Sequence, residues 1–150
     1  FCSVSLHRVL NEIGSAQRIN MREGVELLLD LPGQEVTVYT DSARLSQVIN
    51  NLVNNAIKFT SEGNIRIGYR PAASGYVNIF VEDTGTGMSR EVLEHIFDRF
   101  YKGDSFKQGT GLGLSICKTI VKRFEGKIEV TSTPGKGTCF TITLPLKVEE

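Results

Sequence analysis

Apolar residues recur along this chain with two spacings, and the switch between them divides it into helices and strands. From residue 6 to residue 20 they fall at 6, 9, 10, 13, 16 and 19, the period of a helix with one buried face. GVELLLDLP (24–32) reads as a strand that Pro32 stops, and EVTVYT (35–40) offers a second, shorter one. Helical spacing returns after Asp41, a good N-cap, and holds to about Phe59 through Leu45, Val48, Leu52, Val53 and Ala56. NIRIGYR (64–70) and YVNIFVE (76–82) are strands joined by PAASG as in a hairpin. Ser89 is placed to cap a short helix through Phe100, residues 101–109 read as a mobile loop, and a helix covers 113–125. KIEVTST and CFTITLPL close the chain as a strand pair around PGKG. Hairpins dominate over β-α-β units. The pattern predicts an α+β fold, a two-layer sandwich with a mixed, mainly antiparallel sheet and about three main helices on one face.

The 150 residues are the size of one ordinary domain, and 40% hydrophobic with 23% charged residues is a soluble globular composition. Lys plus Arg and Asp plus Glu are 17 each, so no global field favours nucleic acid or an anionic membrane. No apolar run approaches the roughly 20 residues that span a bilayer, and no stretch reads as a signal peptide. FCSVS has no start-like character, so the chain is expected to be an excerpt of a longer protein. Cys2, Cys117 and Cys139 form no CxxC pair. Cys117 lies among Leu114, Ile120, Val121 and Phe124 at helical spacing and reads as a small buried hydrophobe in a reducing cytoplasm.

The most unusual local feature is KQGTGLGLSI (107–116), with glycines at 109, 111 and 113 leading into a helix. A P-loop carries Lys directly after its final glycine, whereas Leu114 and Ser115 follow Gly113. A dinucleotide fingerprint opens from a strand as GxGxxG; this run is GxGxG, and GDSFKQ before it is no strand. What remains is a loop whose backbone can approach a ligand, followed by a helix N-terminus whose free N–H groups favour phosphate. A glycine-rich structural turn is the competing reading.

Three further stretches bear on that choice. In NNLVNNAIKF, Asn51, Asn55 and Lys58 fall within about 60° of one another at 100° per residue, beside the apolar face. Asn is a mediocre helix former, so four of them at 50, 51, 54 and 55 need a reason. Either they form a solvated polar face, or the oxygens of Asn51 and Asn55 hold a hydrated Mg²⁺ and its phosphates, with Lys58 beside them. In FVEDTGTGM, Asp83 sits where an apolar strand runs into a glycine turn. An ionised Asp only accepts hydrogen bonds, and adenine's amino group is a donor where guanine presents an acceptor. A shielded Asp83 could therefore select ATP over GTP, with Gly85 and Gly87 letting the base lie against the backbone. An ordinary Asp-Gly turn cap is the alternative. In IFDRFYKGDS, Ile96, Phe97 and Phe100 read as packing residues. Arg99 and Lys102 either point toward what the next loop covers or are solvated at a helix end.

These four segments, in this order, resemble the catalytic and ATP-binding domain of bacterial sensor histidine kinases, within the GHKL ATPase superfamily. Residues 51–58 are similar to the family's N box, 83–87 to the G1 box, 97–101 to the F box and 109–113 to the G2 box; TSTPGKGTCFTITLP is similar to its closing hairpin. The resemblance spans nearly the whole chain. It implies the Bergerat ATP-binding fold, residues 1–150 as one catalytic domain, and an ATP lid hinged on the glycines. It also implies Asn55 as the principal Mg²⁺ ligand with Asn51 supporting it, Lys58 on phosphate, Phe59 near the adenine and Asp83 on its amino group. Gly85, Gly87, Tyr101, Gly109 and Thr110 belong to the implied nucleotide boxes, and the backbone amides of Gly111, Leu112 and Gly113 would meet the phosphates. Lys102 stands where the family often carries Arg; as a point charge it is a candidate for the γ-phosphate that cannot grip bidentately. Thr86 occupies a place often held by an apolar residue or Cys.

Hydrolytic relatives such as the gyrase and mismatch-repair ATPases carry a Glu early in the N box to activate water. This chain has Asn51 there, which cannot accept a proton at neutral pH. The resemblance thus implies a protein-histidine kinase of two-component signalling, with Asn51, Lys58 and Lys102 as its catalytic groups and γ-phosphoryl transfer in place of hydrolysis. The partners implied are the phosphoacceptor helices of the same parent's dimerisation domain and, indirectly, a response regulator receiver domain. Nucleic acid and direct membrane contact are not expected. A hydrolase-type clamp and a degenerate regulatory nucleotide-binding module are the competing readings. The family phosphorylates a His followed by an acidic residue; His7 precedes Arg8 and Val9, and His95 precedes Ile96 and Phe97, so neither context fits. The acceptor is expected on an upstream segment, and the location is expected to be cytoplasmic, including the cytoplasmic part of a membrane-anchored receptor.

Overall fold

The computed structural model describes residues 1–98 and 113–146. In order they form β1 (Cys2–Ser5), α1 (Leu6–Gln17), β2 (Val25–Asp30), β3 (Thr37–Thr40), α2 (Ser42–Phe59), β4 (Gly63–Ala72), β5 (Tyr76–Asp83), α3 (Arg90–His95), α4 (Gly113–Arg123), β6 (Lys127–Thr133) and β7 (Gly137–Pro145). Three helices begin where a side chain satisfies an otherwise orphaned N–H. Ser5 Oγ accepts from Arg8 N at 3.2 Å, Asp41 Oδ1 from Arg44 N at 3.2 Å and Ser89 Oγ from Val92 N at 3.3 Å. After α4 the chain turns at Glu125, φ 60°, where Glu125 N donates to Lys122 O and Gly126 N to Val121 O. These two bonds are the paired closure of a left-handed helix stop.

Five strands make one sheet in the order β2-β4-β5-β7-β6. β2 and β4 run parallel, joined through β3 and α2, the long crossover that a parallel pair requires. The other neighbours are antiparallel. Alternate residues face the helices: Leu27 on β2, Ile65, Ile67 and Tyr69 on β4, Val77, Ile79 and Val81 on β5, and Phe140, Ile142 and Leu144 on β7, all buried. They join the buried residues of α1, α2 and α4 in one cluster. The opposite face is polar. There Arg66 spans Asp30 (2.9 Å) and Glu82 (3.1 Å), and Arg70 also pairs with Asp30. Helices therefore cover one face only, the expected two-layer α+β arrangement.

The structure departs from the sequence pattern at four places. Residues 2–5 form a strand that the pattern did not mark, paired antiparallel with β3. The predicted strand 35–40 shortens to Thr37–Thr40. α1 ends at Gln17, and a 3-10 turn at Arg18–Asn20 rotates the next residues outward, leaving Ile19 86% exposed and Ala16 exposed. Gly14 and Gln17 are buried in their place, Gly14 because a side chain there would stand 3.2 Å from Leu29. Finally, α3 stops at His95, short of Phe100, where Asp98 N donates to His95 O at 2.9 Å and tightens the chain into a turn. Ile96 is nevertheless buried, and Phe97 meets the Phe140 ring edge-on at 6.2 Å. Phe100, Arg99 and the predicted loop 101–109 lie outside the described residues.

Candidate nucleotide-binding site

At one end of the inward sheet face, a polar row replaces the apolar ones. Ser132, Thr138 and Asp83 stand side by side on β6, β7 and β5. Asp83 is 7% exposed, and its Oδ1 accepts from Gly85 N at 2.9 Å. Burial pushes its carboxyl above the usual carboxylate range. The backbone N–H groups of Gly85 and Thr138 pull it back, and nearby Glu82 adds a smaller upward push. Asp83 is thus a desolvated acceptor held by two donors.

The turn after Asp83 is fastened to two other elements. Thr86 N donates to Phe59 O at 3.1 Å, at the end of α2, and Gly135 N of the β6–β7 connection donates to Thr86 O at 2.7 Å. A Cβ on Gly85 would stand 2.2 Å from Phe59 O, and one on Gly87, φ +72°, would stand 2.2 Å from Thr133 O. The space that sequence reasoning reserved beside these glycines is used, at their Cβ positions, by the chain's own close packing. Gly85→Ala is accordingly expected to cost about 2–3 kcal/mol, because the Phe59 carbonyl, a backbone group, resists the overlap. A denaturant midpoint equal to the wild type's would show that the turn does not seat against α2.

The four asparagines of α2 divide by flank. Asn50 and Asn54 each accept from Gln17 Nε2, at 2.9 and 3.1 Å, and Gln17 Oε1 accepts from Asn20 at 3.0 Å. These two dock α1. On the other flank Asn51 Nδ2 donates to Cys117 Sγ at 3.6 Å, joining α2 to α4. Cys117 is fully buried, and burial pushes its thiol up to about 11, so it stays protonated, as expected of a packing cysteine. Asn51, Asn55, Lys58 and Phe59 are half-buried along this edge, and Arg22 Nη2 reaches Lys58 O at 3.5 Å. Among the described residues nothing hydrogen-bonds the Asn55 carboxamide, so its hard oxygen is available for a cation.

The structure thus places Asn51, Asn55, Lys58 and Phe59 along the C-terminal half of α2 and couples that half, through the Thr86–Phe59 hydrogen bond, to Asp83, Gly85 and Gly87. Gly113 opens α4 and is exposed. Tyr101, Lys102, Gly109, Thr110, Gly111 and Leu112 lie outside the described residues. Sequence reasoning missed Thr138 and Ser132, which only the strand register aligns with Asp83, and Thr60. Thr60 is fully buried beside Gly85, and its Oγ1 has no hydrogen-bond partner among the described residues.

The residues present suit Mg-ATP. Asp83 offers a dry acceptor for an amino group, and α2 offers amide oxygens and a cation for metal and phosphate. Among the described residues no three His, Cys, Asp or Glu side chains cluster to hold a metal. A Mg²⁺ ion here would complete its oxygen shell from water and phosphates. No helix of the described residues is long and apolar enough to cross a membrane.

The family model of histidine kinase-, DNA gyrase B- and HSP90-like ATPases matches residues 40–148. The adaptive-response sensory kinase SasA of Crocosphaera subtropica is 42% identical over 127 residues, covering 83% of this chain and 33% of its own length. The nucleotide-free catalytic domain of histidine kinase ThkA superposes with a TM-score of 0.87 at 29% identity, over 98% of this chain and 96% of that one. Full-length ShkA in complex with AMPPNP superposes with a TM-score of 0.90 at 27% identity, over 99% of this chain and 31% of that one. The chain therefore spans only a part of the sensory kinases it matches. It belongs to the family of histidine kinase-, DNA gyrase B- and HSP90-like ATPase domains.

Proposed function

We infer that residues 1–150 are the single catalytic unit of a cytoplasmic sensor histidine kinase, binding Mg-ATP and donating its γ-phosphoryl group to a histidine on the parent's dimerisation helices. A response regulator receiver domain would take the phosphoryl group in turn. The observation that carries this reading is the fastening of a buried acceptor, Asp83, to the polar end of α2 through Thr86 and Phe59. One rigid connection holds a base-reading group and a phosphate-reading edge in fixed relation. Positioning of this kind is the main catalytic resource in phosphoryl transfer.

In this reading Asp83 accepts from the adenine amino group and Phe59 lies against the base. Asn55 Oδ1, supported by Asn51, is the protein ligand of Mg²⁺, which when bound neutralises phosphate charge. Lys58, and Lys102 from the loop side, add positive charge, and the Gly85, Gly87, Tyr101 and 109–113 segments border the nucleotide. Asn51 cannot deprotonate water, so transfer is favoured over hydrolysis.

Neither histidine stands at this site. His7 bonds through Nδ1 to the hydroxyl of Tyr69, four residues along β4 from Ile65, the register partner of Asp83, or about 13 Å. His95 pairs with Asp98 at 2.8 Å on the exposed end of α3. The chain alone is therefore expected to bind γ-labelled ATP without labelling itself, and to label a dimerisation segment of its parent added in trans. Robust label on the chain by itself would overturn the transfer reading.

A further inference from the structure

Two hydrogen bonds between α2 and α4 run through one sulfur. Cys117 is fully buried in the same apolar cluster as Val48, Leu52, Ile120 and Val121, surroundings that valine would fill as well. Its thiol nevertheless makes two directed contacts with α2. Sγ donates to Val48 O at 3.8 Å, and Asn51 Nδ2 donates to Sγ at 3.6 Å. With the thiol proton committed to a carbonyl, the sulfur meets Asn51 with a lone pair. Sulfur is a weak acceptor, yet among the described residues nothing else hydrogen-bonds the Asn51 carboxamide. Asn50 and Asn54 are fixed by Gln17 on the opposite flank. Cys117 therefore decides which end of the Asn51 amide turns toward α4. The nitrogen is spent there, and Oδ1, which no donor of the described residues reaches, is left over. A hydrocarbon at position 117 would tell neither end from the other.

A hard cation and the waters around it call for oxygen. The ion attracts the negative end of an amide, its bound waters donate hydrogen bonds, and an NH2 group turned toward either is repelled. We propose that Cys117 is a positioning residue for the metal site, whose sulfur holds the Asn51 nitrogen on α4 and keeps Oδ1 free to support Mg²⁺ beside Asn55. The assignment deepens the nucleotide reading of this site and rests on it. Cys117 stands one helical turn after Gly113, the first residue of α4, so the same bond ties the start of that helix to the polar edge of α2. Without the tie, part of the ion's binding energy goes into ordering the carboxamide.

The test follows the Mg²⁺ requirement of ATP binding by the 150-residue chain, read from the ATP-induced rise in melting temperature. Cys117→Val should raise the Mg²⁺ concentration for half the effect about three- to tenfold, the scale of one weak hydrogen bond and the order it imposes. Binding of ATP without Mg²⁺ should stay at the wild-type level, which a packing defect would not spare. Cys117→Ser, whose hydroxyl can still accept, should lie closer to the wild type than Cys117→Val. A second readout needs neither metal nor nucleotide. In the free chain the side-chain amide protons of Asn51 should exchange with water more slowly than those of Asn55, each pair assigned by its loss in the alanine variant. Cys117→Val should remove that difference. If Cys117→Val keeps the wild-type Mg²⁺ requirement, or weakens Mg²⁺-free binding equally, Cys117 only packs. If Asn51→Ala itself leaves the Mg²⁺ requirement unchanged, the placing of Asn51 beside the metal fails, and the role of Cys117 with it.

Discussion

Asp83→Asn is expected to weaken ATP binding by about a hundredfold or more while leaving the fold intact. Asp83 is an acceptor held away from water, and exchanging its charged oxygens for an amide loses a charge-assisted bond and sets a donor against the amino group. The same burial gives a second, opposite signature in stability. A carboxyl raised in the folded chain holds its proton more tightly there than in the unfolded one. Its contribution is full below the ordinary carboxylate value near pH 4 and is lost as pH rises through the folded value. The variant carries no such loss. Its melting temperature, minus that of the wild type, should therefore climb with pH across this window and level off above it. Calorimetric titration with ATP and melting curves across pH read the two effects separately; wild-type affinity in the variant would remove Asp83 from the site.

Asn55→Ala is expected to abolish the Mg²⁺ dependence of nucleotide binding and to lower phosphoryl transfer by at least about a hundredfold, the scale of losing a group that holds charge in place. Stability should move the other way. Asn55 is half-buried and has no hydrogen-bond partner among the described residues, and alanine is the better helix former by up to about 0.7 kcal/mol. The measurement is the ATP-induced rise in melting temperature, with and without Mg²⁺. A rise that keeps its full Mg²⁺ dependence in the variant would mean that the metal is held elsewhere.

Much of the fold was legible because it is written in local signals. Asp41 and Ser89 cap the helices they were expected to cap, and the alternation in 64–70 and 76–82 marks the β4–β5 hairpin. What escaped depends on distant partners. β1 is four residues long and exists through pairing with β3, more than thirty positions away. The parallel pairing of β2 with β4 leaves no mark in either strand's composition. In α1 the apolar period pointed Ala16 and Ile19 inward, but Gln17 lies inside because three amides on two other stretches receive it. The site divides the same way. Asn51, Asn55 and Lys58 share an edge by helical arithmetic, and Asp83 stands out as a carboxylate ending an apolar strand. Thr60, Ser132 and Thr138 are isolated hydroxyls with no pattern around them, and they acquire meaning only from what stands opposite.

The amide quartet of Gln17, Asn20, Asn50 and Asn54 has a consequence beyond geometry. None of its members ever carries a charge, so the seam between α1 and α2 is blind to acidity and to dissolved ions. The exposed pairs gathered around Asp30 on the far side of the sheet are not. Fluctuations in a cell's electrolyte would therefore be felt by the pairs around Asp30 and not by the amide seam that docks α1 on α2.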